Sequence, residues 1–405
     1  MNGRLRDEDS ASFDFDAPFD RVATHSAKWA KYRGQDVLPM WIADMDFRAP
    51  PAVRQALAAY AATGDYGYGA VPPDLPNAVA AYCDRMYDWA VGPDTVSFLP
   101  ALVPALQLAV RACCADGEAA LSFSPIYPPF LHAARLQGRP GIELPLLPRT
   151  EGLRLDYEID FDRLEATLGQ AAPRIRLLMI CHPHNPIGRL WRREELERLA
   201  ELALRHDLFV LSDEVHADLI LDGHTRHEPF AKLAVTSAPE LAARTITING
   251  PGKTFNTAGL GVAWTVIPDT GLRRRFHQAM ARLVPEPCTA AWPVLRATLE
   301  ECEPWRQALL AYLSANRDRV VDALLKMNLP HTRPVVSYLA WFDARSLGTE
   351  QQTAMARLEE HGLGLSDGKD FGLDGFARLN FALPRTGLDE GLKRLRTACA
   401  GRTPA

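Results

Sequence analysis

A lysine on a short turn after a predicted strand is the residue whose setting points most directly to chemistry. Residues 250–254 read GPGKT and follow the apolar run 245–248. A Gly-Lys-Thr sequence after a strand also occurs in nucleotide-binding P-loops, but that motif requires a glycine five residues before Gly252, where this chain has Thr247. The other interpretation is that Lys253 forms a Schiff base with an aldehyde cofactor at the mouth of an α/β sheet.

Three further apolar runs end in polar side chains. The run 119–123 leads to Tyr127, the run 175–180 leads to Asn185, and the run 208–211 leads to Asp213 and His216. Open α/β sheets bind ligands outside the carboxyl ends of their strands. We therefore expect these side chains and Lys253 to surround one ligand.

Pyridoxal phosphate is a cofactor that uses all of these groups. Asp213 can keep the pyridine nitrogen protonated, which makes the ring an electron sink. Asn185 can donate its amide to the phenolic oxygen, His216 lies near enough in sequence to join it, and Tyr127 offers a flat face to the ring. Alone, each residue also has an ordinary structural interpretation, such as a helix cap for Asp213 or a solvated turn for Lys253.

The phosphate of this cofactor needs a separate binding turn. A helix is predicted from Pro104 to Cys114, with the proline in its first turn. The backbone amides of Leu102 and Val103, just before that helix, can hold a phosphate at the helix N-terminus.

The elements that must position these residues alternate between apolar runs and helical patterns. The apolar runs are residues 96–99, 119–123, 142–146, 175–180, 208–211, 245–248 and 262–267. This rhythm predicts an α/β fold with a mostly parallel, seven-stranded sheet covered on both faces. Helical sequence over 272–333 then leads to strand-like pieces at 338–342 and 376–381, which predicts a smaller α+β domain.

The predicted domain organisation has three parts. Residues 1–20 form an N-terminal arm, residues 21–55 and 286–405 form the small domain, and residues 56–285 form the large, cofactor-binding domain.

Composition excludes several classes of function. The 405 residues are 47% hydrophobic and 23% charged, with a net charge of −5, so neither nucleic acid nor an anionic membrane surface is an expected partner. Seven cysteines without a Cys-x-x-Cys spacing favour a reducing cytoplasm over a disulfide framework or a zinc site, and we expect no metal. The mixed charges of the N-terminus do not resemble a signal peptide, and no apolar run has the length of a membrane helix.

Four segments together resemble one family. They are residues 38–47 (LPMWIADMDF), 181–186 (CHPHNP), 213–216 (DEVH) and 253–256 (KTFN). With them the chain resembles the MalY/PatB family, whose members are cystathionine β-lyase-like enzymes that use pyridoxal phosphate. The resemblance covers residues 13–395 and implies a fold type I, aspartate aminotransferase-like transferase fold.

The resemblance implies a role for each site residue. Lys253 is similar to the lysine that bonds to the cofactor, and Arg378 is similar to the arginine that grips the substrate α-carboxylate, with the backbone around Ala43 touching the same carboxylate. Tyr68 is similar to a tyrosine that reaches the phosphate from the neighbouring subunit, which implies a homodimer. The remaining positions match the family's ring and phosphate contacts: Leu102, Val103, Tyr127, Asn185, Asp213 and His216.

Three positions depart from the family's pattern. Gly252 stands where the family usually has a serine that helps to hold the phosphate, and Ala101 stands where the phosphate turn usually begins with glycine. His182 replaces a residue that is commonly asparagine. These departures bear on the cofactor grip and on the choice of reaction.

The resemblance implies a carbon–sulfur β-lyase that cleaves an S-substituted cysteine to pyruvate, ammonia and a thiol. Three alternatives stay open: an aminotransferase of class I/II, a family member redirected to a specialised reaction in secondary metabolism, and a non-enzymatic, regulatory protein that binds pyridoxal phosphate.

Overall fold

The computed structural model describes residues 13–223, 225–281, 283–349 and 352–400. The strands are β1 (Leu38–Pro39), β2 (Val96–Leu99), β3 (Ala119–Ser124), β4 (Gly141–Pro145), β5 (Leu147–Glu151), β6 (Arg154–Glu158), β7 (Ile175–Cys181), β8 (Phe209–Asp213), β9 (Thr245–Asn249), β10 (Ala263–Val266), β11 (Leu339–Asp343), β12 (Leu363–Gly364), β13 (Ser366–Asp367) and β14 (Phe376–Asn380).

The α-helices are α1 (Ala27–Ala30), α2 (Pro51–Thr63), α3 (Leu75–Tyr87), α4 (Leu102–Cys113), α5 (Pro128–Leu136), α6 (Phe161–Leu168), α7 (Arg193–Arg205), α8 (Phe230–Ser237), α9 (Pro239–Ala242), α10 (Thr270–Met280), α11 (Ala291–Glu300), α12 (Glu303–Lys326), α13 (Ala354–Glu360) and α14 (Arg385–Cys399). Within the described ranges, none of them combines the length and the apolar character that crossing a lipid bilayer demands.

The central sheet has seven strands in the order β2-β10-β9-β8-β7-β3-β4. Each of the seven predicted apolar runs overlaps one of these strands. Only β10 runs against its two neighbours, so the sheet is mostly parallel, as predicted. The parallel strands direct their carboxyl ends to the same edge of the sheet, and the predicted site residues follow those ends.

Both faces of the central sheet are covered, as the alternation along β3 illustrates. Leu121 and Phe123 pack into a core that includes Leu199 of α7, whereas Ala120 packs on the other face with Leu106 of α4. Successive strand residues point to opposite faces, so a strand that is buried on both sides has a continuous apolar sequence. That is why the runs were recognisable as strands.

The remaining sheets are small. β11, β14 and β13 form an antiparallel sheet in which Arg378 is paired with Trp341 on one side and with Ser366 on the other. β1 and β12 form a parallel pair, and β5 and β6 form a hairpin. The core around β11 and β14 also contains Met40, which precedes the predicted site segment. The predicted division into an arm, a small domain and a large domain stays a prediction.

Candidate active site

A cavity of about 240 Å³ opens at the carboxyl ends of β3, β7, β8 and β9. Its lining includes most of the residues that the sequence predicts for the site: Ala43, Leu102, Val103, Tyr127, Asn185, Asp213, His216 and Lys253. Four loops that are distant in sequence meet here because their parallel strands end at one edge of the sheet.

The turn that carries Lys253 leaves β9 at Asn249, whose side-chain oxygen accepts from the backbone N–H of Gly250 (2.7 Å). A Cβ atom on Gly250 would lie 3.2 Å from both Val262 O and Ala263 Cα, so the turn packs tightly against the start of β10. The turn is followed by a 3₁₀-helix, Ala258–Leu260, and not by the α-helix of a P-loop. The nucleotide-loop interpretation is therefore excluded.

Lys253 is half-buried and lines the cavity. Its Nζ donates to the backbone oxygen of Ala43 at 2.9 Å. Burial lowers the pKa of Lys253 to about 8, and the Arg378 guanidinium acts in the same direction, while Asp44 and Asp213 oppose the shift. An amine with a lowered pKa has a larger free-base fraction near neutral pH, which is the form that attacks a carbonyl carbon.

Asp213 ends β8 as a buried carboxylate without a cationic hydrogen-bond partner. In the described part of the chain it accepts one hydrogen bond to its side chain, from the backbone N–H of Val215 at 3.1 Å. Burial raises the pKa of Asp213 to about 7; the neighbouring Glu214 adds to the shift, while the Val215 hydrogen bond and Lys253 oppose it. The carboxylate faces a cavity and would be stabilised there by a ligand that donates a positively charged N–H.

Asn185 and Arg378 are joined across the site. Arg378 Nη1 donates to Asn185 Oδ1 at 2.9 Å, and Nη2 donates to Trp41 O at 3.0 Å and to Ser366 Oγ at 3.3 Å. Since the guanidinium can only donate, the amide oxygen of Asn185 is fixed towards it, and the NH₂ group is left for a cavity ligand. Arg378 itself is not among the cavity-lining residues and lies behind Asn185.

The guanidinium of Arg378 is also buried and partly unsatisfied. It lies 4.5 Å above the ring centroid of Phe371, and its Nε has no hydrogen-bond partner among the described residues. Burial lowers the pKa of Arg378 to about 10. A buried cation with unused N–H donors is a favourable place for an anion.

His216 and Tyr127 contribute their aromatic rings to the cavity wall. Burial lowers the pKa of His216 to about 3, with further lowering by Lys253 and Arg378, so its imidazole is neutral. Its Nδ1 is buried and has no hydrogen-bond partner in the part of the chain that the structure describes. Tyr127 precedes α5 at the N-cap position, and burial raises the pKa of its phenol, which keeps it protonated.

The helix that faces the cavity starts earlier than predicted. α4 begins at Leu102 and not at Pro104, so Leu102 and Val103 are the first two helical residues and do not precede the helix. The difference arises because Ala101, at the N-cap, has no side chain that could cap the helix and mark its start. The first backbone N–H groups of α4 therefore have no intrahelical partner, which favours an anion at this end.

Besides Arg378, two residues named from the sequence do not line the cavity. Tyr68 is fully exposed and does not line the cavity of its own chain. His182 is buried below the site, where its Nε2 contacts Glu228 O at 3.1 Å and its ring centroid lies 4.6 Å from that of His227. His182 therefore forms part of the packing beneath the strand ends and is not in the cavity wall.

Gly252 is closely packed. A Cβ atom at this position would lie 3.2 Å from Ala258 Cα and 3.4 Å from Ala258 Cβ, so a serine would require Ala258 to shift slightly. Glycine at 252 therefore matches the close approach of the 3₁₀-helix Ala258–Leu260.

Tyr338 is a site neighbour that the sequence did not reveal. Its hydroxyl donates to Ala43 O at 3.2 Å, beside the Lys253 amine, and its ring meets the edge of His216. The sequence showed only the strand pattern of 338–342, and the one available signal was a polar-tipped aromatic residue at the start of that strand. Among the described residues, no group of His, Cys, Asp and Glu side chains is arranged to hold a metal ion.

Known proteins resemble this chain over nearly its whole length. The cystathionine β-lyase PatB of Bacillus subtilis is 36% identical over 395 residues, which cover 95% of this chain and 99% of PatB. The protein MalY of Escherichia coli is 28% identical over 401 residues, which cover 95% and 98% of the two chains.

Solved structures agree in fold. The crystal structure of OvoB superposes with a TM-score of 0.90 at 38% identity, covering 96% of this chain and 100% of OvoB. The crystal structure of cystalysin from Treponema denticola, which contains a pyridoxal 5′-phosphate cofactor, has a TM-score of 0.87 at 30% identity, covering 95% and 98%. The sequence model of the aminotransferase class I and II family matches residues 35–395. The chain therefore belongs to the aminotransferase class I and II family and, within it, to the group that includes PatB and MalY.

Proposed function

We propose that this protein is a pyridoxal phosphate-dependent carbon–sulfur β-lyase that converts an S-substituted cysteine into pyruvate, ammonia and a thiol. The observation that carries the proposal is the single cavity in which Lys253, Asp213, Asn185 and Tyr127 meet the N-terminus of α4. The same cavity combines a reactive amine, a carboxylate that lacks a cationic partner and an anion-binding helix end.

The part of the cavity formed by Asp213, Tyr127, Asn185 and His216 fits the pyridine ring of the cofactor. The pyridine N–H would donate to the Asp213 carboxylate, which has one hydrogen bond and a raised pKa in its absence. Tyr127 would stack on the ring, and the NH₂ group of Asn185, together with the neutral His216, would contact the phenolic oxygen. Within the described residues, His216 Nδ1 has no hydrogen-bond partner and the Asp213 carboxylate has one.

The other end fits the phosphate. The N–H groups of Leu102 and Val103 are the first two of α4, and the N-cap residue Ala101 makes no side-chain hydrogen bond to them. A phosphate at this helix end would accept these hydrogen bonds and interact favourably with the helix dipole. With Ala101 and Gly252 beside it, the grip relies on backbone groups more than on side-chain hydroxyls.

Lys253 has two tasks in this proposal. Its amine would hold the cofactor through the aldehyde carbon, whose oxygen leaves as water, and the free amine would accept the α-proton of the bound amino acid at Nζ. When bound, pyridoxal phosphate supplies an electron-withdrawing ring that stabilises negative charge at the α-carbon. The lowered pKa of Lys253 suits both tasks, because the amine must be unprotonated to attack and to accept a proton.

Arg378 orients the substrate. Three of its N–H donors are used by Asn185, Trp41 and Ser366, and the remaining donors, including the unpartnered Nε, are available for an α-carboxylate. The backbone around Ala43, two residues from the Trp41 carbonyl that Arg378 holds, would touch the same carboxylate. Since Arg378 also holds Asn185, the carboxylate and the cofactor ring are positioned by one hydrogen-bonded pair.

The choice of β-elimination draws its support from relatives. PatB and a second relative, from Corynebacterium glutamicum, carry the name cystathionine β-lyase, and a similar structure from Staphylococcus hominis is a pyridoxal phosphate-bound C-S lyase. An S-substituted cysteine has a thiolate leaving group on its β-carbon, and this thiolate departs once the α-proton has moved to Lys253. Water then hydrolyses the remaining three-carbon enamine to pyruvate and ammonia.

We propose further that the protein is a cytoplasmic homodimer. The fully exposed Tyr68, with Tyr66 beside it, supports a contact with the phosphate of the neighbouring subunit, since a large aromatic side chain of this kind is available for burial in an interface. The adjacent thiols of Cys113 and Cys114, which form no disulfide, support a reducing compartment.

A product balance tests the function. The pyridoxal phosphate-loaded enzyme is incubated with a panel of S-substituted cysteines, and thiol, pyruvate and ammonia are quantified together. We expect the three products in equal amounts and none from Lys253→Ala. Accumulation of the pyridoxamine form of the cofactor without release of thiol would instead identify an aminotransferase.

A further inference from the structure

Residues 41–47, here called the strap, run without regular secondary structure between β1 and α2 and touch both Lys253 and Arg378. Each of five consecutive strap carbonyls accepts a hydrogen bond from a side chain elsewhere in the chain. The acceptors and their donors are Trp41 O with Arg378 and Ser366, Ile42 O with Asn380, Ala43 O with Lys253 and Tyr338, Asp44 O with Asn380 and Lys28, and Met45 O with Asn256 and Arg21.

Two asparagines hold this region with both of their side-chain N–H donors. Asn380 Nδ2 donates to Ile42 O and Asp44 O, both at 2.7 Å, and its Oδ1 accepts from Ala382 N at 2.8 Å. The two carbonyls that it holds lie on either side of Ala43. Ile42 O also accepts from the backbone N–H of Asp44 at 2.8 Å, and the Asn380 amide adds a side-chain hydrogen bond to the carbonyl on each side of Ala43.

Asn256 clamps the far end of the strap in the same way. Its Nδ2 donates to Met45 O at 3.1 Å and to Phe47 O at 2.7 Å, and its Oδ1 accepts from Met45 N at 3.3 Å. Asn256 has a positive φ of 55°, a backbone conformation that asparagine adopts more readily than most residues. Both its side chain and its backbone therefore favour asparagine at this position.

The positions of the two asparagines connect the strap to the reacting groups. Asn256 lies three residues after Lys253, and Asn380 lies two residues after Arg378 on β14. A displacement of the strap would move Ala43 O away from Lys253 Nζ, whose hydrogen bond of 2.9 Å fixes the amine in the cavity.

We propose that Asn256 and Asn380 are positioning residues that hold the strap so that Ala43 O keeps the Lys253 amine in place for proton transfer. The inference rests on the proposed function in that Lys253 is the base. It goes beyond that function in assigning the geometry of the base to two asparagines that lie outside the cavity wall.

The chain offers a matched control for the general cost of altering a buried asparagine. Asn316 is fully buried, and its Nδ2 also donates to two backbone carbonyls, Phe381 O and Leu383 O, both at 3.0 Å. Within the described residues its side chain has no hydrogen bond to the strap. An aspartate at any of the three positions replaces an NH₂ donor with an oxygen that repels the two carbonyls, so the chemical change is the same.

The test compares Asn256→Asp and Asn380→Asp with Asn316→Asp in two measurements. Amide hydrogen exchange of the peptide that contains the strap is followed by mass spectrometry in the cofactor-free proteins. In the pyridoxal phosphate-loaded proteins, exchange of the α-hydrogen of L-alanine with D₂O is followed by NMR. Alanine has no β-leaving group, so its exchange reports the proton transfer alone, and Lys253→Ala sets the background.

We expect both strap variants to exchange their strap amides faster and to slow α-hydrogen exchange by about 10- to 100-fold, because a displacement of about 1 Å of a reacting group has an effect of this order. Asn316→Asp should leave both rates within about twofold of wild type, the spread expected when no reacting group moves. Equal losses in all three variants, or α-hydrogen exchange at the wild-type rate in both strap variants, would overturn the inference. If an aspartate variant does not fold, the three alanine variants make the same comparison without a charge.

Failure of the proposed function gives a different result. A wild-type protein that exchanges the α-hydrogen of alanine but releases no thiol from S-substituted cysteines is not a β-lyase, and the three variants still decide the role of the strap. A wild-type protein whose exchange of alanine equals that of Lys253→Ala overturns the role of the base and the inference with it.

Discussion

Replacing Asp213 by asparagine should stabilise the cofactor-free protein at neutral and alkaline pH while abolishing activity of the loaded enzyme. Asp213 is buried, and its carboxylate has one hydrogen bond, from Val215 N. Burial raises the pKa of Asp213 to about 7 from an ordinary value of 3.8. The folded protein therefore binds this proton more tightly than the unfolded chain does, and stability falls as pH rises.

The size and the pH window of the effect follow from the two pKa values. Below about pH 4 both states hold the proton, and Asp213 has no pH-dependent effect on stability. As pH rises towards 7, the unfolded chain ionises first and the folded state becomes progressively less stable. At about 1.4 kcal/mol per pKa unit, the full effect above pH 7 is about 4 kcal/mol, of which about 3 kcal/mol develops between about pH 5 and pH 8.

Urea unfolding of cofactor-free wild type and Asp213→Asn at pH 5 and pH 8 measures this effect. The advantage of the variant should grow by about 3 kcal/mol between the two pH values. Asp218→Asn is the control, because the buried Asp218 carboxylate accepts from Tyr82 and Tyr87 hydroxyls (2.7 and 2.5 Å) and its replacement should destabilise the protein. A difference between wild type and Asp213→Asn that stays constant from pH 5 to pH 8 would refute the reasoning.

Three further predictions concern other parts of the site. The first concerns the rate at which cofactor-free protein captures pyridoxal phosphate, measured by absorbance. Because the free amine attacks, this rate should rise roughly tenfold per pH unit below the Lys253 pKa of about 8 and level off above it. A rate that does not change with pH contradicts this. Arg378→Lys should lower kcat/KM for an S-substituted cysteine by on the order of 100-fold, because the bidentate contacts to the carboxylate are lost. The loss should be much smaller for the analogue that lacks the carboxylate. Equal losses for both compounds argue against carboxylate binding by Arg378. Mixed dimers of Tyr68→Ala and Lys253→Ala chains should regain about a quarter of wild-type activity, because half of the dimers carry one intact site; no recovery means that Tyr68 does not serve the partner subunit.

The sequence predicted the central sheet well because its strands are buried on both faces. Such strands appear as continuous apolar runs, and all seven of the predicted runs lie in the sheet. The order of the chemistry-bearing residues along the chain then placed them at strand ends, so the cavity could be predicted without knowledge of the loops. The start of α4 was predicted two residues late, since Ala101 gives no capping signal.

The strap could not be predicted, although its sequence contributed to the family resemblance. The hydrogen bond from Asn256 to Met45 joins residues 211 positions apart in sequence, and that from Asn380 to Asp44 joins residues 336 positions apart. No periodic pattern or local motif in the sequence indicates the partner of either asparagine. Side-chain hydrogen bonds to an irregular backbone depend on the assembled fold, and for the same reason Tyr338 was missed as a neighbour of Lys253.

The fold gives a structural reason for two of the departures from the family's pattern, Gly252 and His182. Gly252 is explained by the 3.2 Å approach of Ala258 Cα, which leaves little room for a larger residue. His182 packs against His227, and burial lowers the pKa of His182 to about 3. His182 is therefore neutral and buried, and it packs next to the end of β7.

The most direct test of the central claim, that this cavity holds pyridoxal phosphate on Lys253, is chemical trapping. The loaded protein is reduced with borohydride, which converts a lysine–cofactor linkage into a stable amine, and its peptides are mapped by mass spectrometry. We expect the pyridoxyl group on the peptide that contains Lys253 and no label in Lys253→Ala. Labelling of another lysine, or of none, would contradict the assignment.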